Sequence, residues 1–409
     1  MHDRCFATHV PIVSVTTGCG AEAAWGGCAG LAPPHLSTGR PVVGTVRAGR
    51  PTLMDMSSSF APDPASPTEP MVLRARATDE LIAVVPALLG FHPQHSLVAI
   101  AVHGPRHRLG LRLRLDLPPV EHATAVAREV TEHLRSQRPD GVLLVAFAEH
   151  PTDADAVVEA TIEQIDLAGL GLLDAVRCDG RRYWSYLCPD DHCCPTDGTP
   201  YDARSNVLLA EAVFRGVEVL PDREAVARRY DPIDGEAAER VAFLTQRVLQ
   251  AMATSGGGGP GRGRSAEFLQ PGLDRVLAIV DDAASSRRWP LGDEDVATLS
   301  VWGSLIVVRD VLWARIGQRN ASAQLELWRH VAQRTVPPFE PAMLCLAGFA
   351  AWLSGHGAEA RCAIERALLA DPDYSMAGLL HKALDEGLSP EAWEGMDVEA
   401  VLRTVPGLT

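Results

Sequence analysis

Lysine is almost absent from this chain of 409 residues: Lys382 stands alone among 37 basic side chains, and the others are arginine. Acidic side chains number 52, so the formal net charge is −15. Because such a charge repels phosphate backbones, the composition argues against a nucleic-acid-binding protein. So strong a preference for arginine is typical of a GC-rich genome, since selection for anion binding would require the arginines to cluster.

The sequence also lacks an apolar run of about 18 residues, the length that a membrane-spanning helix requires. A secretory signal is missing as well, because Asp3 and Arg4 are followed by Pro11 and Gly18 instead of a continuous apolar segment. We therefore expect a cytoplasmic protein with no membrane span and with mostly reduced thiols.

Residues 1–70 lack any sustained helical or alternating pattern and are rich in Gly, Pro, Ser and Thr. This composition predicts a disordered extension. Alternatively, translation starts further along the chain, since Met54, Met56 and Met71 follow closely. No Cys-x-x-Cys pair supports a metal module among the three cysteines of this segment, Cys5, Cys19 and Cys28.

Residues 71–250 alternate between strand-like and helix-like segments. Segments 96–102 and 109–117 predict an antiparallel hairpin. Strands at 142–148 and 173–178 enclose a helix, an order that favours parallel pairing. The sequence predicts an α/β domain, with a mixed, partly parallel sheet and flanking helices. Its other predicted elements are helices at 78–89, 120–138, 205–215, 222–230 and 236–254 and strands at 181–187 and 217–220.

A glycine-rich tract at 251–265 predicts a flexible linker, and it has no Lys followed by Ser or Thr that would indicate a phosphate-binding loop. Beyond it, helical periodicity predicts an all-α domain at 266–400, with a tail at 401–409. The predicted helices cover 266–284, 293–316, 321–333, 341–354, 358–369 and 374–384.

One segment of this helical domain, 341–374, matches the tetratricopeptide pattern. The matching positions are Gly348, Ala360, Ile364, Ala367 and Pro372. Because about three copies are needed for a solenoid, this single copy predicts a helical hairpin within a larger domain. Arg309 and Asp310 lie in an apolar predicted helix and are expected to form a structural ion pair.

The segment richest in chemistry is 188–195, where three thiols, an imidazole and two carboxylates follow an aromatic strand. Cys188, His192, Cys193 and Cys194 offer the ligand types that zinc prefers, and Cys178 could join them from the neighbouring strand. A disulfide or redox switch and a purely structural hairpin loop are the alternatives, because adjacent cysteines rarely ligate one ion easily.

Three polar residues before the first predicted hairpin strand suggest a nucleophile with its base: His92, His95 and Ser96. A serine hydrolase of the α/β type, however, places its serine in a Gly-x-Ser-x-Gly elbow between strand and helix. Because Ser96 opens a strand instead, a turn whose side chains satisfy loop amides is the competing interpretation.

Two further pairs are candidate ligand-binding residues. Arg112 and Arg114 share one strand face and could bind an anion, although a solvated face with cross-strand ion pairs explains them without a ligand. Tyr183 and Trp184 could stack on a base or sugar, although aromatic side chains of this size usually fill a core or an interface.

Several short motifs, in one order from 71 to 390, resemble an uncharacterised family of actinobacterial proteins, one of the catalogued domains of unknown function. The family has no assigned activity, so the resemblance implies no functional residues. The matching segments are 88–93, 96–98, 114–118, 193–195 with Gly198, 308–310 and 371–377.

No complete catalytic set is present in the sequence. The leading hypothesis is therefore a cytoplasmic, non-enzymatic binding or scaffold protein, whose helical domain contacts a partner chain or a second copy. Its α/β domain would hold a small ligand. The alternative is an enzyme, either a metal-dependent hydrolase or a thiol-based oxidoreductase, centred on the cluster at 188–194.

Overall fold

A computed structural model describes residues 13–17, 71–203, 205–256, 265–285 and 289–409, with the backbone alone at 13–17 and 71–74. Eight strands form one sheet in the order β2-β1-β4-β3-β5-β6-β7-β8. The strands are β1 Val13–Thr17, β2 Met71–Ala75, β3 Ser96–His103, β4 Arg108–Asp116, β5 Gly141–Phe147, β6 Leu172–Cys178, β7 Arg182–Ser185 and β8 Thr199–Pro200.

The centre of the sheet is apolar because β3 is buried along all but its last residue. β3 pairs antiparallel with β4, which confirms the predicted hairpin, and β5 pairs parallel with β6 through a helical crossover. The mixed sheet with flanking helices is therefore as the alternation of segments predicts. The helices of this region are α1 Thr78–Leu89, α2 Ala123–Ser136, α3 Pro151–Leu167, α4 Val207–Phe214, α5 Arg223–Arg228 and α6 Gly235–Gly256.

Period-two side chains give the sheet two different apolar faces. Val98 and Ile100 of β3 pack in one core cluster with α1 and α4. Leu97 and Ala99 face the other way and pack in the clusters that contain α2 and α3. Each face is thus covered by helices, as expected for central strands that are almost entirely apolar.

After residue 265 the regular secondary-structure elements that the structure describes are all helices, as predicted. In the tetratricopeptide-like hairpin, a Cβ on Gly348 would come within 2.8 Å of Ile364, so glycine allows two helices to approach closely. The helices are α7 Ala266–Ala284, α8 Asp293–Gly303, α9 Ile306–Ala314, α10 Ala321–Arg334, α11 Glu340–Leu353, α12 Gly357–Ala370, α13 Ser375–Asp385 and α14 Val398–Leu402.

Two of the motif segments meet inside this helical region. Arg309 pairs with Asp310 at 2.7 Å, which confirms the expected ion pair. Its Nη1 also donates to the Tyr374 hydroxyl at 2.9 Å. The hydrogen bond from Arg309 to Tyr374 therefore links α9 to the start of α13.

Three predicted segments differ from the structure. The helix expected over 293–316 is two helices, because Leu305 between α8 and α9 is extended, with φ −71° and ψ 126°. The strand expected at 217–220 is a single bridge between Leu220 and Phe91. The expected tail carries Val405 and Leu408 into the helical core, since both are about 7% exposed.

The predictions for residues 1–12, for 18–70 with Cys19 and Cys28, and for 257–264 of the glycine-rich tract lie outside the described residues. One part of the N-terminal segment is described: β1 pairs antiparallel with β2 and in parallel with β4. Val13–Thr17 thus form a strand, while the disorder predicted for residues 1–70 as a whole stays a prediction.

The largest core cluster crosses the glycine-rich tract. Val226, Tyr230 and Val241, which precede the tract, are buried in the same cluster as α8, α10 and α12. By its contacts, residues 71–409 fall in one compact unit. A separate folding of the parts before and after the tract stays a prediction.

Among the described helices, none is by itself long and apolar enough to cross a membrane, and α8 with α9 meets that test only as a pair bent by 109°.

Candidate functional site

The loop between β7 and β8 brings three thiols together, as expected for a metal site. The Sγ atoms of Cys188 and Cys193 are 2.9 Å apart, and those of Cys193 and Cys194 are 3.7 Å apart. All three lie within 4.8 Å of one another and are partly buried. His192, the fourth predicted ligand, is exposed and is not part of this group.

Backbone hydrogen bonds fix the shape of this thiol loop. The amides of Cys193 and Cys194 both donate to the Asp190 carbonyl, at 3.2 and 2.8 Å, forming a single tight turn. The Asp190 carboxylate accepts a hydrogen bond from the His192 amide at 2.8 Å. The imidazole of His192 is exposed. The hydroxyl of Ser185 accepts from the Cys188 amide at 3.2 Å.

Gly198 and Trp184 close the other end of the loop. Gly198 has φ +83°, and a Cβ there would lie 2.5 Å from the Trp184 ring. The ring in turn donates through Nε1 to the Thr196 carbonyl at 3.2 Å. The backbone therefore needs glycine here for both its conformation and its close approach.

Burial affects the protonation of one loop thiol, Cys194. It raises the pKa of Cys194, with further contributions from hydrogen bonding to Cys188 and from the nearby Asp174 carboxylate. Burial also raises the pKa of Asp174 itself, whose Oδ2 accepts from the Thr78 hydroxyl at 3.1 Å. The environment thus favours a neutral Cys194 thiol, and a bound cation would have to displace its proton.

Cys178 does not join the thiol loop. It is buried at the end of β6 and belongs to the core cluster on the α1 face. Burial, aided by the Asp179 charge, raises its pKa to about 12. Its role is that of a small apolar core side chain.

The two aromatic candidates point to different surroundings. Tyr183 packs edge-on against Tyr201, with ring centroids 6.2 Å apart, beside the α1 face of the sheet. Trp184 carries the guanidinium of Arg177 at 3.8 Å from its ring centroid. The arginine therefore occupies a position over the ring that a base or sugar would need in order to stack.

The sequence did not single out Arg177 or Asp155, which line a cavity of about 170 Å³ next to Trp184. Tyr186 also lines this cavity and donates to the Asp155 carboxylate at 2.6 Å. A second charged residue in the mostly apolar strand Leu172–Cys178, which also contains Asp174, is the signal that could have identified Arg177.

Ser96 and the two histidines do not form a catalytic arrangement. Ser96 is buried, and its hydroxyl donates to the Gln94 carbonyl at 2.6 Å and accepts from Arg114 Nε at 2.9 Å. His92 and His95 are exposed. The hydroxyl is thus used to hold the turn that enters β3.

Arg112 and Arg114 lie against other parts of the protein. Arg112 donates to the carbonyls of Leu88 and Gly355, at 3.3 and 3.4 Å, and so connects the sheet to the turn between α11 and α12. Arg114 pairs with Asp116 at 2.6 Å. Burial lowers the pKa of Arg112, but two carbonyl acceptors stabilise its charge.

Cysteine alkylation is expected to separate the thiol loop from the core. Iodoacetamide should modify the loop cysteines Cys188 and Cys194 in the native, metal-free protein, because both are partly exposed. Cys178, Cys345 and Cys362 should stay unmodified, since they are buried and burial raises the pKa of each. Peptide mass mapping before and after denaturation measures this, and rapid labelling of Cys345 in the native protein would contradict it.

Comparison with known proteins gives a family but no activity. No curated protein and no solved structure matches the chain. The model of a family described as a domain of unknown function, DUF4192, matches residues 79–391. This span includes the sheet from β3 onward, the thiol loop and most of the helical region. The chain therefore belongs to the DUF4192 family.

Proposed function

We propose that this protein binds a thiophilic divalent cation such as Zn²⁺ through Cys188, Cys193 and Cys194. The observation that carries the proposal is the approach of three Sγ atoms to within 4.8 Å of one another. Three thiolates match the soft ligands that select zinc over magnesium or calcium.

The spacing of the thiols is close to that of a zinc site. Zinc–sulfur bonds of about 2.3 Å at tetrahedral angles place two thiolates about 3.8 Å apart. The Cys193–Cys194 separation of 3.7 Å fits this directly, whereas the Cys188–Cys193 separation of 2.9 Å must widen. Cys188 can move because it lies in a loop beyond the end of β7.

Three protein ligands leave one tetrahedral position for another group. In zinc proteins an open position of this kind is typical of sites that bind water or a substrate, whereas purely structural sites supply four protein ligands. His192 is exposed on the same loop and directly precedes Cys193. It is therefore the nearest imidazole in the sequence that could supply a fourth ligand and complete a closed site.

Zinc content of the cysteine variants tests this proposal. Protein purified under reducing conditions without chelator should contain near-stoichiometric zinc by mass spectrometry. Cys193→Ser and Cys194→Ser should each lower zinc affinity by at least about 100-fold, because each removes one thiolate ligand. The matched control is Cys362→Ala, in the buried helical core, which should retain the metal.

Two results would contradict the proposal. One is reduced wild-type protein that neither carries zinc nor takes it up in titration. The other is equal zinc content in all the variants. A Cys188–Cys193 disulfide that forms reversibly in metal-free wild-type protein would favour the thiol-based redox alternative instead.

The broader expectations from the sequence stay predictions. They are a cytoplasmic location, a non-enzymatic role, and contact of the helical region with a partner chain or a second copy. Exposed apolar side chains on that region, such as Leu369 at 84% and Leu379 at 63%, are compatible with such a contact. A zinc site in the sheet region is compatible with both the binding and the hydrolase hypotheses.

A further inference from the structure

A cavity separate from the thiol loop lies where the parallel strands β5 and β6 end. Its volume is about 170 Å³, slightly larger than the roughly 150 Å³ cavity that holds one benzene molecule. In sheets with parallel strands, this carboxyl end is where ligands commonly bind. The lining residues are Pro151, Asp155, Arg177, Trp184, Ser185 and Tyr186.

Arg177 supplies a fixed positive charge to this cavity. Its side chain extends from β6, and the residue is only 5% exposed. Nη1 donates to the carbonyls of Ala148 and Glu149, at 3.2 and 3.3 Å, and the guanidinium lies over Trp184. Within the described part of the chain, Arg177 forms no ion pair with a carboxylate, and its hydrogen bonds leave Nη2 and Nε available.

Asp155 supplies a fixed negative charge to the same cavity. It lies in the second turn of α3, and its Oδ1 accepts from the Tyr186 hydroxyl at 2.6 Å. Burial and the adjacent carboxylate raise the pKa of Tyr186, so this hydroxyl stays protonated and continues to donate. Among the described residues, Asp155 has no basic partner, and its Oδ2 is available.

A cation and an anion that line one small cavity without pairing are complementary to a dipolar molecule. Arg177 is buried and Asp155 is partly buried, and a charge that is removed from water is unfavourable unless something compensates it. We propose that this cavity binds a small zwitterion of the α-amino acid class, whose carboxylate is held by Arg177 and whose ammonium group is held by Asp155.

The size of the cavity restricts the ligand. Glycine, alanine and serine are close to benzene in size, so they fit the volume of the cavity. The forked guanidinium suits a planar carboxylate. The ring of Trp184 and the Pro151 ring provide apolar walls. None of the three loop cysteines lines the cavity, so this inference does not depend on a metal in the thiol loop.

Calorimetric titration of the full-length protein with L-alanine tests the proposal. Alanine should bind, whereas acetate and methylammonium, which carry one charge each, should bind at least about 10-fold more weakly. Asp155→Asn keeps the size of the side chain and an acceptor for Tyr186 but removes the charge. It should weaken alanine binding by about 10- to 100-fold, the effect of losing one charge-assisted hydrogen bond.

Asp153→Asn is the matched control, because Asp153 lies in the first turn of the same helix and does not line the cavity. It should bind alanine as the wild type does. Absence of binding by glycine, alanine and serine would overturn the proposal. Equal loss in both variants, or binding of acetate as strong as that of alanine, would also overturn it. Cys193→Ser should leave alanine binding unchanged, which separates this test from the zinc experiment.

Discussion

Replacing Glu359 by alanine is expected to lower the free energy of unfolding by about 3 kcal/mol, the lower end of the range for breaking a buried ion pair. Glu359 is only 4% exposed. Its Oε1 accepts from Arg329 at 2.7 Å and from the Tyr230 hydroxyl at 3.1 Å, and its Oε2 pairs with Arg229 at 3.1 Å. Alanine would leave the buried Tyr230 hydroxyl and two partly buried guanidinium groups without this acceptor.

The loss of stability in the Glu359 variant should stay near the lower end of the range for buried ion pairs, because Arg229 and Arg329 each have a second acidic neighbour. Arg229 also pairs with Glu218, and Arg329 also pairs with Glu326 at 2.7 Å. These outer carboxylates are largely exposed, so their attraction is screened by water, but they prevent either guanidinium from being left wholly unpaired.

Chemical denaturation with urea measures the Glu359 effect. The matched control is Glu365→Ala, one turn and a half along the same helix, which breaks the Arg223–Glu365 pair of 2.9 Å. Both of those side chains are more than a third exposed, so the control should cost no more than about 1 kcal/mol. A Glu359 variant as stable as the Glu365 variant would show that the contacts of Glu359 with Arg229, Arg329 and Tyr230 stabilise the fold no more than an exposed ion pair does.

Replacing Gly198 by alanine is expected to destabilise the thiol loop by about 2 to 5 kcal/mol. The left-handed backbone conformation at φ +83° costs a residue with a Cβ about 1 to 2 kcal/mol. Contact of the new methyl group with the Trp184 ring adds about 1 to 3 kcal/mol, as overpacking usually does. Because Trp184 anchors the loop through Thr196, zinc affinity should fall together with stability.

Gly180→Ala provides the control for the Gly198 substitution. Gly180 lies in the turn between β6 and β7 with φ +91°, but a Cβ there would meet nothing within 4 Å. The control should therefore show the backbone cost alone, about 1 to 2 kcal/mol, and keep its zinc affinity. Thermal unfolding and zinc titration of both variants measure the difference. Equal results for the two substitutions would show that the Trp184 contact has no energetic role.

The secondary structure followed from local patterns where those patterns were strong. The hairpin of β3 and β4 and the crossover from β5 to β6 have the expected pairing, since the apolar runs of β3 and β5, the alternation of β4 and the turn residues specify it locally. The break between α8 and α9 was missed because nearly all of α8 is buried and apolar residues continue into α9, so the hydrophobic pattern runs through the break without showing where one helix ends.

The two candidate sites, the thiol loop and the cavity beside Arg177, also differ in how far the sequence reveals them. The thiol loop was visible because its three cysteines are close in the sequence, and proximity along the chain guarantees proximity in space. Arg177 and Asp155 come from different elements, 22 positions apart, and neither carries a motif. Only the crossover of α3 places them on one cavity.

The sequence by itself determined the alternating α/β segments, the later helices and the grouping of cysteines, because periodicity and short spacing act over a few residues. The tertiary structure alone decided which charges distant in the sequence meet. It joined Glu359 to Arg229 and Tyr230, about 130 positions earlier, and brought Arg112 to the Gly355 carbonyl. The reason is physical: burial forces distant polar groups to find partners, and which partners they find depends on how helices and sheet pack.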